Sequence, residues 1–241
     1  MKISIIVRAK NEAEGLKKLL PQIKSQKGIS QKDVEIIVVD NNSGDDTRKI
    51  ALNYAKVINI TDAEFSYPKA LNLGIENSHG DIVVIIAAHA SLINSSWLNN
   101  IIKHFNDPKV AGVYSPELPG DNASVWEKIF YNSMYLTRKI TSPDVIKKAK
   151  PGVMAAVDCA VRKSVWQKHK FDENYGAGGE DLEWGIWALK NNYKIIRDTD
   201  CAVRHSHGLN LKNFIKQYIY WIYVRHPHPF DRGKLKYRNS F

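Results

Sequence analysis

The segment GGEDLEW, residues 178–184, joins two glycines to two adjacent carboxylates at the predicted start of a helix. Glycine lets a backbone approach a ligand closely. A carboxylate at such a place can act as a general base that takes a proton from a hydroxyl. Acidic residues are also stabilised at a helix N-terminus by its dipole, but the dipole does not account for the glycines. Glu180 and Asp181 are therefore candidate catalytic residues.

Three histidines follow short apolar segments that predict strands. His89 ends the run DIVVIIAAH, residues 81–89, and the pair His205 and His207 lies in VRHSHG, residues 203–208. On a strand, residues at this spacing face the same side, and imidazoles on one side can bind a divalent metal ion. Each histidine can equally be a solvated or core residue that bonds to a nearby carbonyl, so both interpretations stay open.

The segment VVDNNSGDD, residues 38–46, places Asp40 at the end of a predicted strand and turn-forming residues after it. A carboxylate in this position can accept hydrogen bonds from a ribose or a base. It can equally cap the next helix, and the residues give the two interpretations equal weight. Ser43 is predicted to be a helix cap.

Strands and helices alternate regularly over the first half of the chain. The predicted strands are residues 3–7, 34–40, 56–60, 81–88 and 110–115. The predicted helices are residues 12–26, 43–55, 67–78 and 95–105. This alternation predicts right-handed crossovers and an α/β fold with a mostly parallel sheet flanked by helices. Ligands bind beyond the carboxyl ends of such strands, at residues 8–11, 40–43 and 87–89.

The second half is less regular. It contains a predicted helix at residues 123–140, a strand followed by a helix at 153–166, a glycine-rich loop that enters a helix at 176–192, and strands at 193–198 and 201–207. Residues 141–152 are polar and lysine-rich, which is typical of a mobile loop such as a lid. Residues 211–230 predict a long aromatic helix that ends near Pro227. Its aromatic and basic side chains suit an anionic membrane surface, although packing on the sheet or on a partner chain explains them as well.

Composition narrows the classes of protein. The chain has 241 residues, 44% hydrophobic content and a net charge of +10, which suits one large α/β domain with a phosphate-bearing, polyanionic or membrane partner. The sequence carries no zinc-finger spacing or RNA-recognition signature, so we expect no nucleic-acid partner. Cys159 and Cys201 are too few for a disulfide framework, and no apolar run reaches the ~20 residues of a membrane span. We therefore expect a cytoplasmic protein.

Several segments, taken in order, resemble the family-two glycosyltransferases over roughly residues 1–210. They are SIIVRAKNEAEGL, VEIIVVDNNSGDDT, KALNLGI, GDIVVIIAAHA, WLNNIIKHF and GGEDLEW. The resemblance implies a GT-A, Rossmann-like fold, a dTDP-, UDP- or GDP-sugar donor, inversion at the anomeric carbon, and a saccharide acceptor that is often lipid-linked, as in bacterial surface polysaccharide assembly. It also implies a domain at 1–208, with a donor-binding half at 1–115 and an acceptor-binding half at 116–208, and a C-terminal helix and basic tail at 209–241.

The same resemblance implies roles for individual residues. Asp181 matches the general base, and Glu180 would orient the acceptor. The donor would be held by Val7, Arg8, Ala9, Asn11, Glu12, Asp40, Lys69, Asn72, Ala88 and His89. The acceptor would also contact Gly178, Gly179 and Trp184. A divalent metal, Mn²⁺ or Mg²⁺, would be bound by His89, His205 and His207.

One segment departs from the family pattern. Where the family has Asp-x-Asp, with the last aspartate on the metal, this chain has Ala87, Ala88 and His89, which resembles a rhamnosyltransferase-like subgroup with Ser-Ala-His there. Imidazole suits Mn²⁺ less well than carboxylate does. His89 can bind a metal together with His205, or it can contact the diphosphate directly when protonated. The altered motif also leaves open a nucleotide-sugar-binding protein without catalysis. The net charge of +10 leaves a nucleic-acid-binding module as a more distant alternative. A homo-oligomer is open too.

Overall fold

The computed structural model describes residues 1–148, 152–176 and 178–224, with no account of the side chains of 221–224. The strands are β1 Ile3–Ala9, β2 Val34–Asp40, β3 Lys56–Asn59, β4 Ile82–Ala87, β5 Ser91–Leu92, β6 Val110–Tyr114, β7 Asp144–Val145, β8 Asp158–Arg162, β9 Lys194–Arg197 and β10 Val203–Arg204. The helices are α1 Ala13–Lys24, α2 Thr47–Ala51, α3 Tyr67–Glu76, α4 Trp97–Ile102, α5 Val125–Lys139, α6 Lys163–Trp166, α7 Glu180–Lys190 and α8 Leu211–Val224.

Eight strands form one sheet in the order β3-β2-β1-β4-β8-β6-β9-β7. β1 to β4 are parallel to one another, β6 is parallel to β9, and β7 and β8 run the opposite way. The predicted α/β fold with a mostly parallel sheet is therefore confirmed. Because β8 is antiparallel to β4, its first residue, Asp158, pairs with Ile86 at the edge where the parallel strands end.

Helices cover both faces of the sheet, which explains the almost unbroken apolar runs of the central strands. In β1, Ile5 and Val7 join the core on the face of α1 and α4, while Ile6 joins the core under α3 and α7. The apolar stripe predicted for the first helix is buried as expected. Its members are Leu16, Leu19, Leu20 and Ile23, each 0% exposed.

The third helix also follows the sequence signals closely. Ser66 caps α3 by accepting a hydrogen bond from the backbone N–H of Lys69, and Pro68 lies in the first turn, where its missing N–H costs nothing. Ser43, predicted to cap the next helix, does not do so, because α2 begins only at Thr47. Its hydroxyl instead donates to Asp40 and accepts from the backbone N–H of Asn11.

Two segments of the second half differ from the prediction. The strand predicted at 201–207 is limited to β10, so His205 and His207 lie just beyond it. The segment 141–152, predicted to be a mobile loop, contains edge strand β7, and Arg197 of β9 donates to Thr141 and Asp144. These bonds fasten the start of the segment to the sheet. Residues 149–151 and 225–230 of the predicted loop and last helix lie outside the described residues.

The last described helix, α8, packs on α5 through aromatic contacts. The ring of Phe130 lies 5.4 Å from that of Phe214 and 5.5 Å from that of Tyr218, measured between centroids. Among the residues that the structure describes, no helix has the length and hydropathy needed to cross a bilayer.

A buried carboxylate fastens the end of β9 to its surroundings. Asp198 is 1% exposed and accepts hydrogen bonds from His104 Nε2 at 2.7 Å and from the backbone N–H of Asp200 at 2.9 Å. Burial alone would raise the pKa of Asp198. The hydrogen bonds from His104 and Asp200, with the nearby charge of Lys103, outweigh burial and lower that pKa from 3.8 to about 2.

Asp198 should therefore stabilise the fold above about pH 4 and lose that contribution as the pH falls towards 2. The unfolded chain takes up this proton near pH 4, whereas the folded chain holds the ionised form down to about pH 2, so acid favours unfolding. In urea unfolding followed from about pH 6 to 2.5, Asp198→Asn should flatten the acid decline of the free energy of unfolding. Asp62→Asn, at an exposed surface pair with Lys10, should keep the wild-type decline. An Asp198→Asn curve that parallels the wild type would contradict this role.

Candidate functional site

The three predicted histidines meet in one cluster. β10 pairs antiparallel with β5, with Arg204 opposite Ser91, and this pairing brings the segment after β10 against the segment after β4. The ring centroid of His89 lies 4.7 Å from that of His205 and 5.2 Å from that of His207, and the last two are 4.8 Å apart. One ligand nitrogen from each ring lies within 4.8 Å of the other two. The cluster has the spacing of a site that can close on a metal ion.

Two carboxylates hold two of these rings from behind. Glu12 Oε1 lies 2.8 Å from His89 Nδ1, and Glu117 Oε2 lies 2.9 Å from His205 Nδ1. A carboxylate at Nδ1 fixes the proton there and leaves Nε2 with its lone pair, the arrangement common behind metal-bound imidazoles. His89 Nε2 is itself buried and makes no hydrogen bond among the described residues.

The third ring is held through its backbone. The N–H of His207 donates to Glu127 Oε1 at 2.9 Å, and the other oxygen of Glu127 accepts from the N–H of Ser124 to cap α5. Burial, together with the neighbouring His205 and His89, lowers the pKa of His207 to about 4. His207 is therefore a neutral imidazole near neutral pH.

Helix α1 presses directly against the segment that carries His89. A Cβ added at Gly15 would lie 2.7 Å from the carbonyl oxygen of Ala88 and 3.0 Å from the Cα of His89. Only a residue without a side chain permits this approach. Gly15 thus allows α1 to pack closely against the His89 backbone. Glu12, one turn before Gly15, is then close enough to bond to the His89 ring.

The loops after β1 and β2 are bound together at the same edge of the sheet. Asn11 has a left-handed φ of 54°, and its side-chain oxygen accepts from the backbone N–H of Gly44. The carbonyl of Ala9, a buried residue, accepts from the backbone N–H of Asn41. Asp40 is 2% exposed and is bonded to Ser43. These contacts give the predicted donor-binding segments one fixed shape.

Arg8 is a partly buried cation at the end of β1. Its guanidinium lies over the ring of Tyr67, 4.4 Å from the centroid, and its Nη1 is buried with no hydrogen bond to the described residues. Stacking on an aromatic ring holds the guanidinium plane without using its donors. Arg8 therefore keeps donors available for an anionic ligand.

Four further residues of the predicted donor set have defined positions in the fold. The side chain of Val7 is 0% exposed in the core and that of Ala88 is 2% exposed, so only their backbones can face a ligand. Asn72 donates to the carbonyl of Phe171 at 2.8 Å and to Glu173 at 3.0 Å, which ties α3 to the loop before α7. Lys69, one helical turn before Asn72 on α3, is half-buried.

The predicted acid pair begins α7. Gly178 and Gly179 have φ values of 121° and 98°, a region that favours glycine, which explains both glycines by backbone conformation. Asp181 is 9% exposed and accepts from the backbone N–H of Ala156 at 3.2 Å and from that of Leu182 at 2.7 Å. Its two oxygens therefore have fixed directions.

Asp181 lies at the same sheet edge as the histidines. Ala156, its hydrogen-bond partner, precedes β8, and Asp158 at the start of β8 pairs with Ile86 of β4, just ahead of His89. Glu180 is 2% exposed. Burial raises the pKa of Tyr220 on α8, and the neighbouring Tyr67 and Glu180 raise it further. Tyr220 of α8 therefore lies near Glu180 of the acid pair and near Tyr67.

One predicted acceptor residue needs correction. Trp184 is 0% exposed, and its indole N–H donates to the carbonyl of His169 at 2.8 Å. Its ring lies 6.2 Å from that of Phe171 in the core. In α7 this position faces the sheet, so the side chain supports the helix that carries Asp181 and does not contact a ligand.

Sequence reasoning missed several residues around the site. Glu117 and Glu127 orient the histidine segments, Tyr67 stacks under Arg8, and Tyr220 lies near Glu180. Asp158 is also buried beside them, where burial raises its pKa to about 7 against the hydrogen bond that Ser115 donates, and Glu117 adds to the increase. The signals for these residues were single acids or tyrosines in loops and at element ends, with no spacing to mark them.

Comparison with known proteins points to one family. The family described as Glycosyl transferase family 2 matches residues 4–166. The chain is 25% identical over 224 residues to the O-antigen chain rhamnosyltransferase RfbN of Salmonella typhimurium, covering 90% of this chain and 70% of RfbN. It is 29% identical over 189 residues to the O-antigen chain rhamnosyltransferase WbaN of Salmonella anatum, covering 76% of this chain and 60% of WbaN.

Solved structures agree on the fold. The mannosyltransferase PcManGT from Pyrobaculum calidifontis, solved with GDP-Man and Mn²⁺, superposes with a TM-score of 0.67 at 21% identity, over 90% of this chain and 60% of that chain. TarS of S. aureus, solved as residues 1–349 with UDP-GlcNAc, superposes with a TM-score of 0.61 at 15% identity, and the match covers 97% of this chain and 69% of that chain. These likenesses confirm the GT-A type of α/β fold.

Gly15→Ala should displace the His89 segment and destabilise the fold by about 1–3 kcal/mol, because the added methyl group meets backbone atoms that cannot rotate away. Urea unfolding measures the loss, and the ring NMR signals of His89 should shift while those of exposed His79 stay in place. Gly185→Ala is the matched control, because its Cβ would meet only ordinary contacts at 3.5 Å or more. Equal stability and unchanged His89 signals in Gly15→Ala would refute the close approach.

Proposed function

The chain belongs to glycosyl transferase family 2, and we propose that it is an inverting transferase that moves a sugar from a nucleoside diphosphate to a saccharide in bacterial surface polysaccharide assembly. The two Salmonella O-antigen rhamnosyltransferases support that pathway and favour a deoxyhexose such as rhamnose. The chain spans 60% of the length of WbaN, so the acceptor and linkage belong to the proposal. One observation carries it above all: Asp181 and the histidine cluster share one edge of the sheet.

In this proposal Asp181 is the general base. The backbone N–H groups of Ala156 and Leu182 hold its carboxylate in one orientation. The carboxylate removes the proton from the acceptor hydroxyl as that oxygen attacks the anomeric carbon, and the nucleoside diphosphate leaves from the opposite face. Glu180, beside it, orients the acceptor. Attack from the face opposite the leaving group inverts the anomeric centre.

The departing diphosphate gains negative charge and needs positive groups. Arg8 has donors available above Tyr67, and Lys69 is half-buried on α3, which also begins at the same edge. Such prearranged charges stabilise the leaving group in the transition state. A divalent metal bound by His89, His205 and His207 would neutralise the diphosphate further, as the Mn²⁺ of PcManGT suggests by analogy.

The cluster favours the metal over a protonated histidine as the partner of the diphosphate. Three rings with centroids 4.7 to 5.2 Å apart would repel one another if they were charged together. The cluster also joins the two proposed halves of the domain, since His89 lies in 1–115 and His205 and His207 lie in 116–208. The donor would bind across the line where these halves meet.

The identity of the base and sugar is tested with a donor panel. The solved relatives bind GDP-Man and UDP-GlcNAc, so dTDP-, UDP- and GDP-sugars are all included, with dTDP-rhamnose first because of the Salmonella relatives. A nucleotide-sugar-binding protein without catalysis would bind a donor but release no nucleotide with any acceptor. The oriented carboxylate of Asp181 favours the enzyme over this binder.

Asp181→Asn should lower the rate of sugar transfer about 10²- to 10⁴-fold, since the amide cannot accept the proton of the acceptor hydroxyl. The dissociation constant for the nucleoside diphosphate should stay within about twofold of the wild type. Transfer is measured as nucleotide release and product formation, and donor binding by calorimetry. Glu183→Gln, an acid of the same helix that pairs with His169, should retain activity. Wild-type rates in Asp181→Asn would remove this residue from the mechanism.

We also propose attachment to an anionic membrane through an α5–α8 face. This face consists of the exposed apolar residues Val125, Trp126, Ile129, Leu136 and Ile140 with Leu211, Ile215, Tyr218 and Ile219, which are 42% to 85% exposed. Basic residues accompany them on the two helices: Lys128, Arg138, Lys139, Lys212 and Lys216. The only acid of the described α5 and α8 is Glu127, and it is buried. An apolar face with cations and no exposed acid suits an anionic bilayer.

Attachment there would place the site next to a lipid-linked acceptor. Tyr220 of α8 lies near enough to Glu180 and Tyr67 for their charges to raise its pKa, so we infer that the face that meets the membrane also borders the proposed acceptor site. A cytoplasmic enzyme peripheral to the inner face of the membrane fits this arrangement. A second copy of the chain on the same face is the competing occupant.

The double substitution Ile129→Asp with Ile219→Asp should lower binding to vesicles with about 30% anionic phospholipid at least tenfold, by removing apolar contact and adding negative charge. Vesicle sedimentation at low and high salt measures it, and light scattering gives the oligomeric state. Leu52→Asp, at a residue 60% exposed after α2, serves as control. Unchanged sedimentation, or a wild-type dimer that the double substitution dissociates, would overturn membrane attachment.

A further inference from the structure

The donor atoms of the histidine cluster do not match the ions that the family resemblance implies. Mg²⁺ and Mn²⁺ prefer oxygen ligands such as carboxylates and water. His89, His205 and His207 offer three imidazole nitrogens, and no carboxylate of the described residues joins this group. The nearest acids, Glu12 and Glu117, are already bonded to the Nδ1 atoms of His89 and His205. The cluster therefore offers nitrogen ligands where the family resemblance implies oxygen ligands.

We infer that this cluster is a resident site for a nitrogen-preferring divalent ion of the zinc type, and that it binds such an ion before any nucleotide arrives. For imidazole ligands, affinity rises from Mn²⁺ through Co²⁺ and Ni²⁺ to Cu²⁺, with Zn²⁺ far above Mn²⁺. Three protein ligands with a fourth position left open is the composition of catalytic zinc sites. The inference concerns the site of the proposed function and rests on that function for the purpose of the ion.

The spacing of the rings fits such an ion. Zn–N bonds of 2.0–2.1 Å at tetrahedral angles place ligand nitrogens about 3.3 Å apart. The ligand atoms already lie within 4.8 Å of one another, and the rings of His89 and His205 are stacked at 4.7 Å. Small side-chain rotations therefore close the site without movement of the strands that carry it.

The surroundings of the rings are those of prearranged metal ligands. Glu12 and Glu117 hold the protons at Nδ1, so His89 and His205 present Nε2. Carboxylates in this place orient the ring and raise its basicity as a ligand, and their loss costs about 10- to 100-fold in metal affinity. His89 Nε2 is buried and makes no hydrogen bond to the described residues. A buried polar atom without a partner is expected where that atom binds a ligand such as a metal ion.

A second group of the fold provides an internal comparison. His104, Asp198 and Cys201 also have ligand atoms within 4.8 Å of one another. There His104 Nε2 is bonded directly to Asp198 at 2.7 Å, and Lys103 lies 3.4 Å from the same carboxylate. Burial keeps the pKa of the Cys201 thiol well above its usual value, so this sulfur stays protonated. That group is satisfied without an ion and should bind none.

The test is direct ion binding to the whole chain, stripped by chelator and free of nucleotide. Competition with a chromophoric chelator gives affinities for Zn²⁺, Co²⁺, Mn²⁺ and Mg²⁺, and the visible spectrum of bound Co²⁺ reports coordination by nitrogen. We expect one Zn²⁺ per chain, bound at least about 100-fold more tightly than Mn²⁺. Equal or tighter binding of Mn²⁺ or Mg²⁺, or no divalent ion bound without nucleotide, would overturn the inference.

Variants locate the ion. His89→Ala and His207→Ala should abolish Zn²⁺ binding, and Glu12→Gln, a change at a partly exposed residue that spares the ligands, should weaken it about 10- to 100-fold. His79→Ala removes an exposed histidine that likewise pairs with a carboxylate, Glu35, and should bind as the wild type does. Cys201→Ser should also retain the ion. Zn²⁺ binding that survives His89→Ala in a folded protein, checked by circular dichroism, would place the ion elsewhere.

Sugar transfer is measured separately on the same samples. Tight Zn²⁺ binding without transfer to any acceptor would leave the site intact and count against the proposed function. Transfer by a chain that binds only Mn²⁺ or Mg²⁺ would leave the proposed function intact and count against the nitrogen site. The two failures are therefore distinguishable.

Discussion

The antiparallel pairing of β5 with β10 is the contact on which the site depends. It is only two residues long on each strand, yet it places His205 and His207 against His89, which belongs to a distant part of the chain. Glu127 reinforces it by accepting from the backbone N–H groups of His207 and Leu209. This two-stranded sheet is what holds the three imidazoles together, because no other strand pairing of the described residues joins the segment after β4 to the segment after β10.

The eight-stranded sheet fixes the position of Asp181 in a similar way. β8 inserts antiparallel between β4 and β6, so the backbone just before it lies at the edge where the parallel strands end. Ala156 in that backbone donates to Asp181 and ties the start of α7 to the same edge. The fold thus brings Asp181 of α7, Arg8 of β1 and Lys69 of α3 to one edge of the sheet. In the proposed mechanism, this is where a hydroxyl and a diphosphate would be held on opposite sides of a sugar.

Local sequence patterns predict much of this arrangement. A run rich in β-branched residues predicted β2, and the predicted bounds, Val34–Asp40, are those of the structure. The apolar stripe of α1 is buried as predicted. The alternation of strands and helices predicted the parallel sheet. The strand-end positions of Asp40 and His89 followed from the same pattern. These features depend on periodicity and turn chemistry within one element, which a single sequence displays.

The remainder depends on contacts between distant residues. Glu117, Glu127 and Tyr220 carry no local signal, because their roles come from the segments that the fold brings beside them. Trp184 lies on the helix that begins with Asp181, but which face of that helix meets the sheet is decided by tertiary packing. The segment 141–152 appeared mobile from its composition, and only the pairing of β7 with β9 shows its start to be held.

The most direct measurement is a crystal structure of the chain soaked with dTDP, UDP or GDP. We expect the diphosphate to lie beside His89, His205 and His207, in contact with them directly or through one ion. The carboxylate of Asp181 should face the open space next to the terminal phosphate. A diphosphate bound away from the three histidines, or an Asp181 carboxylate turned away from it, would show that these residues do not form one catalytic site.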